Sequence, residues 1–140
     1  MKKLIATTVV AVMMAAGLVV ASGGVASAGC SPSQYAGCFK TRTSVTATKK
    51  VPRGTRATIC VTVTLASGSG TPNGTVLMSI KKKGSTSSVR RQIDYYGGKT
   101  CMVTRRLNKK GKYHVTALYR SPAGSVFYDS LGRTSFKVKR

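Results

Sequence analysis

From Thr43 to the end of the chain, short runs rich in Val, Thr, Ile and Tyr alternate between apolar and polar residues, and clusters of Gly, Pro, Asn and Ser separate them. No stretch in this region sustains a helical period, whereas a period near two marks half-buried strands. The pattern predicts strands at 43–48, 56–65, 75–81, 88–95, 99–105, 112–119 and 135–139. About seven short strands punctuated by turn signals predict an all-β chain folded as a two-sheet antiparallel β-sandwich.

The second run is the clearest. Ala57, Ile59, Val61, Val63 and Leu65 fall on one face, and Arg56, Thr58, Cys60, Thr62 and Thr64 on the other. Cys60 is thereby expected to point away from the core. If Cys101 does the same on a neighbouring strand, a bridge between them staples one sheet across its surface.

A different pattern precedes these runs. Lys2 and Lys3 lead into an almost unbroken apolar stretch from Leu4 to Val20, and Ala26-Ser27-Ala28 follows as a small-residue cleavage motif. This is the three-part layout of a secretory signal peptide over residues 1–28, with Gly29 as the first residue of a secreted chain. Two other readings compete: an anchor kept in the membrane, for which the apolar core is at the short limit, and lipidation of Cys30 after Ala28-Gly29. Ser27 stands where a lipoprotein site usually carries an aliphatic residue. Residues 29–42 read as a short cysteine-bearing segment and 43–140 as one domain.

Cys30, Cys38, Cys60 and Cys101 are an even set in an oxidising compartment, which favours two disulfides, and sequence alone allows three connectivities. Cys30 with Cys38 and Cys60 with Cys101 is the favoured pairing. In the chain-entropy account these loops contribute about 2.5 and about 4 kcal/mol. A zinc site is the weaker reading, since there is no CxxC and His114 is the only histidine. No cofactor motif is present.

The run Leu107-Asn108-Lys109-Lys110-Gly111-Lys112-Tyr113-His114-Val115 resembles a tyrosine corner, in which a Tyr near a strand start bonds back to the preceding turn. The plainer reading makes Tyr113 a half-buried strand residue. Added to Thr43-Ser44-Val45, Gly54-Thr55, Gly70-Thr71-Pro72-Asn73-Gly74-Thr75-Val76 and Val115-Thr116-Ala117, the run makes residues 43–139 resemble bacterial immunoglobulin-like domains. The type meant is the one repeated in surface and secreted proteins. The resemblance implies an immunoglobulin-like sandwich serving as a binding or spacer module. Val115 stands where an antibody domain has its second core cysteine, so an aliphatic core is expected there. The chain departs from the type in its single copy, its cysteines and its charge.

Charge narrows the function further. The chain has 24 Lys and Arg against two acidic residues, Asp94 and Asp129, and removal of the leader takes away only Lys2 and Lys3. With two carboxylates, one His and no Glu, general acid–base and nucleophilic chemistry have almost no equipment, so the chain reads as non-enzymatic. His114 alternates with Val115 and is expected to be outward and solvated. Asn73-Gly74-Thr75 matches a glycosylation acceptor but reads more simply as a turn.

Basic residues cluster at Lys49-Lys50 with Arg53 and Arg56, at Lys109-Lys110 with Lys112, and at Lys137, Lys139 and Arg140. Further clusters are Lys81-Lys82-Lys83, Arg90-Arg91 and Arg105-Arg106, and these seven residues are the candidates for polyanion contact. Together such charges make a field of several kT, reaching about 8 Å at physiological salt. Cell-envelope or extracellular polyanions suit the compartment. A protein partner is the other class, and nucleic acid would be bound without sequence preference because no reading helix or aromatic platform is evident. A secreted cationic effector acting on membranes and an inhibitor of a secreted enzyme are the alternatives.

Overall fold

The structure is a computed structural model and describes residues 37–140. The expected signal peptide, the lipidation alternative and Cys30 lie outside the described residues. Cys38 is disulfide-bonded, while its expected pairing with Cys30 falls outside that range.

The described chain forms strands β1 (Thr41–Ala47), β2 (Lys50–Pro52), β3 (Thr58–Leu65), β4 (Gly74–Lys82), β5 (Ser88–Tyr95), β6 (Lys99–Val103), β7 (Gly111–Arg120) and β8 (Ser130–Lys139). They build two sheets, one of three strands in the order β1-β3-β6 and one of five in the order β2-β8-β7-β4-β5. All pairs are antiparallel except β2 with β8. The molecule is an all-β sandwich, and among the described residues no helix is long and apolar enough to cross a membrane.

The alternation read from the sequence builds the core directly. Ile59, Val61 and Val63 of β3 are buried with Val76, Met78 and Ile80 of β4 and with Val115, Ala117 and Tyr119 of β7. Burying each such aliphatic side chain contributes about 1.5–3 kcal/mol. Tyr95 joins the sheets with a polar contact inside this core, its hydroxyl accepting from the Val63 N–H at 2.8 Å and donating to the Gly98 carbonyl at 2.6 Å. A buried hydroxyl needs such partners.

Cys60 and Cys101 stand directly opposite one another on β3 and β6 and are bonded, with Cα atoms 4.0 Å apart. The bridge therefore staples the smaller sheet across its outer face, as the alternation of β3 predicts.

Several strand ends shift by one or two residues, β1 for instance running Thr41–Ala47, and three differences have an identifiable local reason. β2 is additional. The chain leaves the small sheet after Thr48, whose N–H bonds the Thr58 carbonyl, and joins the large one at Lys49, whose carbonyl accepts from the Lys137 N–H. Three residues ending in Pro52 are too few to show a period, and a proline is tolerated because β2 is an edge. β8 begins at Ser130 and not at residue 135, because Gly132 lies inside the strand instead of in a turn. A Cβ there would sit 2.5 Å from the Thr43 carbonyl oxygen, so the glycine permits β1 to pass close by. The β3–β6 ladder stops at Thr58 and Val103. There the Thr104 hydroxyl, not a carbonyl, accepts from the Ala57 N–H at 2.9 Å.

Candidate functional site

The outer face of the five-stranded sheet is ordered in rows, because residues in register across a sheet point to the same side. Nearest the C-terminal end of β7, Asp94, Thr75 and Arg120 form one row. Gln92, Leu77, Leu118 and Leu131 form the next, and Arg90, Ser79, Thr116 and Arg133 the third. Lys81, His114 and Ser135 follow, and then Lys112, Lys137 and Lys50 stand side by side on three strands. The rows thus pass from one of mixed charge, through an apolar one, to one that is purely cationic.

That last row opens onto one end of the sandwich, where the 53–57, 83–87 and 104–110 connections gather. A hollow of about 340 Å³ there is lined by Arg53, Lys82, Asn108, Lys109, Lys110 and Arg140. The basic loops are pinned to the frame. Arg53 Nε donates to the Asn108 carbonyl at 2.8 Å, and the Gly54 and Leu107 N–H groups bond the Leu107 and Thr55 carbonyls. The Tyr113 hydroxyl donates to the Lys109 carbonyl at 2.8 Å, which is the bond back to the corner expected from the sequence. Burial raises the Tyr113 hydroxyl's pKa, so it remains a neutral donor. Val115, two residues on, is buried among aliphatic neighbours.

No family model matches this chain, and no curated protein matches it. The site is therefore defined by its own geometry.

Both carboxylates are at the other end. Asp94 faces Thr75, and Asp129 accepts from the Ser121 N–H and hydroxyl at 2.9 and 3.2 Å. Burial first, and then the Asp129 carboxylate and Tyr95, push the Tyr119 hydroxyl up to about 12, and it donates to the Asn73 carbonyl at 2.6 Å. Asn73 closes the connection from β3 and Gly74 already belongs to β4, so the Asn-Gly pair is a strand entry where a turn was expected. His114 is exposed in register with Lys81 and Ser135, outward as expected.

The seven basic residues singled out in the sequence do not form one patch. Lys81 and Arg90 lie on the outer face of the large sheet, while Lys82 and Arg91, their neighbours in sequence, are in register with inward-facing Tyr113 and Met78. Lys83 is in the connection that follows β4, and Arg105 and Arg106 line a separate groove with Arg91. A run of two or three charges is divided between faces wherever a strand alternates. The lysine row was missed for a different reason, since Lys112, Lys137 and Lys50 are distant in sequence and meet only through register. Arg133, Lys137 and Lys139 around the buried Phe136 and Val138 do carry the period of two that could have revealed it.

Proposed function

We propose that the protein is a secreted, non-catalytic immunoglobulin-like module that holds to cell-surface or other extracellular polyanions. The contact is made by the basic end and the adjoining outer face of the five-stranded sheet. The observation that carries this reading is the row Lys112, Lys137 and Lys50, in register on three adjacent strands. Like charges placed directly opposite one another cost stability, so the fold gains nothing from the row. A polymeric anion supplies the counter-charge and releases its own counterions on binding, which makes attachment indifferent to sequence and sensitive to salt.

The immunoglobulin-like reading is supported by the strand order, by the Tyr113 to Lys109 bond and by buried Val115 at the position of an antibody domain's cysteine. The Cys60–Cys101 bridge suits an oxidising compartment. A non-catalytic role is supported by His114, which stands between Lys81 and Ser135 without a carboxylate to orient it.

The test is retention on an immobilised acidic polysaccharide across a salt gradient. The Lys50→Gln/Lys112→Gln/Lys137→Gln protein is expected to elute earlier, with its log–log salt slope reduced by about two, since each neutralised anionic group contributes roughly 0.7–0.9 to that slope. Lys40→Gln/Arg42→Gln/Lys99→Gln removes as much charge from the other end and is expected to behave like wild type. Equal shifts for the two proteins would overturn the localised reading. Retention that survives high salt would point to a protein partner instead.

A further inference from the structure

The five-stranded sheet is wider than its partner, and the uncovered margin forms a groove of about 330 Å³ between β5 and the segment that follows β6. Ile93 and Tyr95 at one end of β5 are packed into the core, but Val89 at the other is 52% exposed although it is in register with buried Ile80. Buried Ile80 and Tyr113 and half-buried Met102 and Leu107 line the groove beside Val89. Arg91 borders it on the β5 side, and Arg105 and Arg106 on the other.

An inward-facing arginine on an edge strand is by itself a guard against strand pairing. That role does not account for Arg105 and Arg106 across the opening, nor for an apolar lining left open between four cations, the fourth being Lys109. No carboxylate lines the groove, and Asp94 and Asp129 stand at the far end of the sandwich. The volume lies within the range of about 300–1,000 Å³ typical of small-molecule sites.

We infer that this groove binds a single-chain anionic amphiphile, its aliphatic chain on Ile80, Val89, Met102 and Leu107 and its acidic head between Arg91, Arg105 and Arg106. The apolar wall is what a polyanion would leave unused, and the arginines are what a neutral alkyl chain would leave unused. An amphiphilic anion satisfies both. Guanidinium groups suit the head, since they bind phosphate or carboxylate through two parallel hydrogen bonds. The groove shares Asn108 and Lys109 with the basic hollow but none of its lining with the row Lys112, Lys137 and Lys50, so loss of that row can leave it intact.

Calorimetric titration of the purified, disulfide-intact protein with dodecyl phosphate and with dodecanoate, each below its aggregation threshold, tests the inference. Inorganic phosphate and uncharged dodecyl maltoside serve as comparators. One of the two anionic amphiphiles is expected to bind one to one, at least tenfold tighter than either comparator, with affinity largely retained in salt that releases polysaccharide. The tighter of the two names the headgroup. Val89→Asn, at an exposed position, and Arg105→Gln/Arg106→Gln should each weaken binding at least fivefold with unchanged melting. Lys112→Gln/Lys137→Gln should leave it within twofold. Binding no tighter than that of a comparator, or an equal loss in the lysine variant, would overturn the assignment.

Discussion

On the outer face of the three-stranded sheet, Ser44, Thr62 and Lys99 stand in one row and Thr46, Cys60 and Cys101 in the next. On the outer face of the five-stranded sheet the corresponding rows hold Arg90 with Arg133, Lys81 with His114, and Lys112 with Lys137 and Lys50. Both faces come from the same alternation over one core, so the core does not dictate the difference. The small sheet uses β-favouring hydroxyl residues, whose cross-strand pairs stabilise, and adds a covalent link. The large sheet accepts repulsion. A charge that served solubility alone would be interspersed over both faces. Arg42 and Lys99 are cations of the small sheet's outer face, but adjacent rows of like charge occur on the large sheet toward one end, and that imbalance is the distribution a surface shaped for a partner requires.

The sharpest way to break the comparison is to remove what holds the small sheet. Replacing both Cys60 and Cys101 by Ser opens a link between residues 41 apart in sequence, and the chain-entropy account assigns the loss about 4 kcal/mol. Chemical denaturation should record most of that, while retention of the still-folded protein on acidic polysaccharide should stay unchanged. A parallel loss of retention at temperatures where the protein remains folded would show that the two faces are not independent.

Two β7 tyrosines sharpen the contrast on the charged side. Tyr113→Phe leaves the Lys109 carbonyl without its donor and should cost about 1 kcal/mol. Wild-type melting of that variant would count against the corner bond as a stabilising feature. Tyr119→Phe at the other end of the strand should cost a similar amount at neutral pH, and it carries a pH signature as well. The Tyr119 hydroxyl is raised from 10.0 to about 12 in the folded protein. The unfolded chain therefore loses this proton first, and stability present below pH 10 is lost as the pH rises from about 10 to 12. The informative quantity is the difference between wild type and variant. That difference should shrink across the interval, and a constant difference would contradict the raised value.

Much of the fold was legible because β3, β4 and β7 bury one face and expose the other, which writes a period of two into the sequence. The surface bridge could be placed on that basis, and Tyr113 from the likeness of its run to a tyrosine corner. β2 could not, because three residues carry no period, and the start of β8 was hidden by Gly132, whose reason is the passage of β1 nearby. The charged surface was the least legible part. Runs such as Lys81-Lys82 and Arg90-Arg91 look like patches in one dimension, yet alternation sends their members to opposite faces. The row on Lys50, Lys112 and Lys137 exists only through register, which depends on strands far apart in the chain.

The smallest effect decides most about that row. Lys137 lies between Lys112 and Lys50, so it meets like charge on both sides. Lys137→Gln removes both repulsions and keeps a side chain of similar length. It should therefore stabilise the protein by up to about 1 kcal/mol, on the scale of cross-strand pairs. The gain should be larger at 0.01 M than at 0.15 M salt, where the screening length falls from about 30 to about 8 Å. The same change should lower the salt at which the protein leaves an acidic polysaccharide. A gain in stability joined to a loss of retention is what a residue kept for binding at the expense of the fold must show. A loss in stability would mean that the Lys137 stem packs usefully on the sheet, and the row would then be an incident of packing and not a surface held ready for an anion.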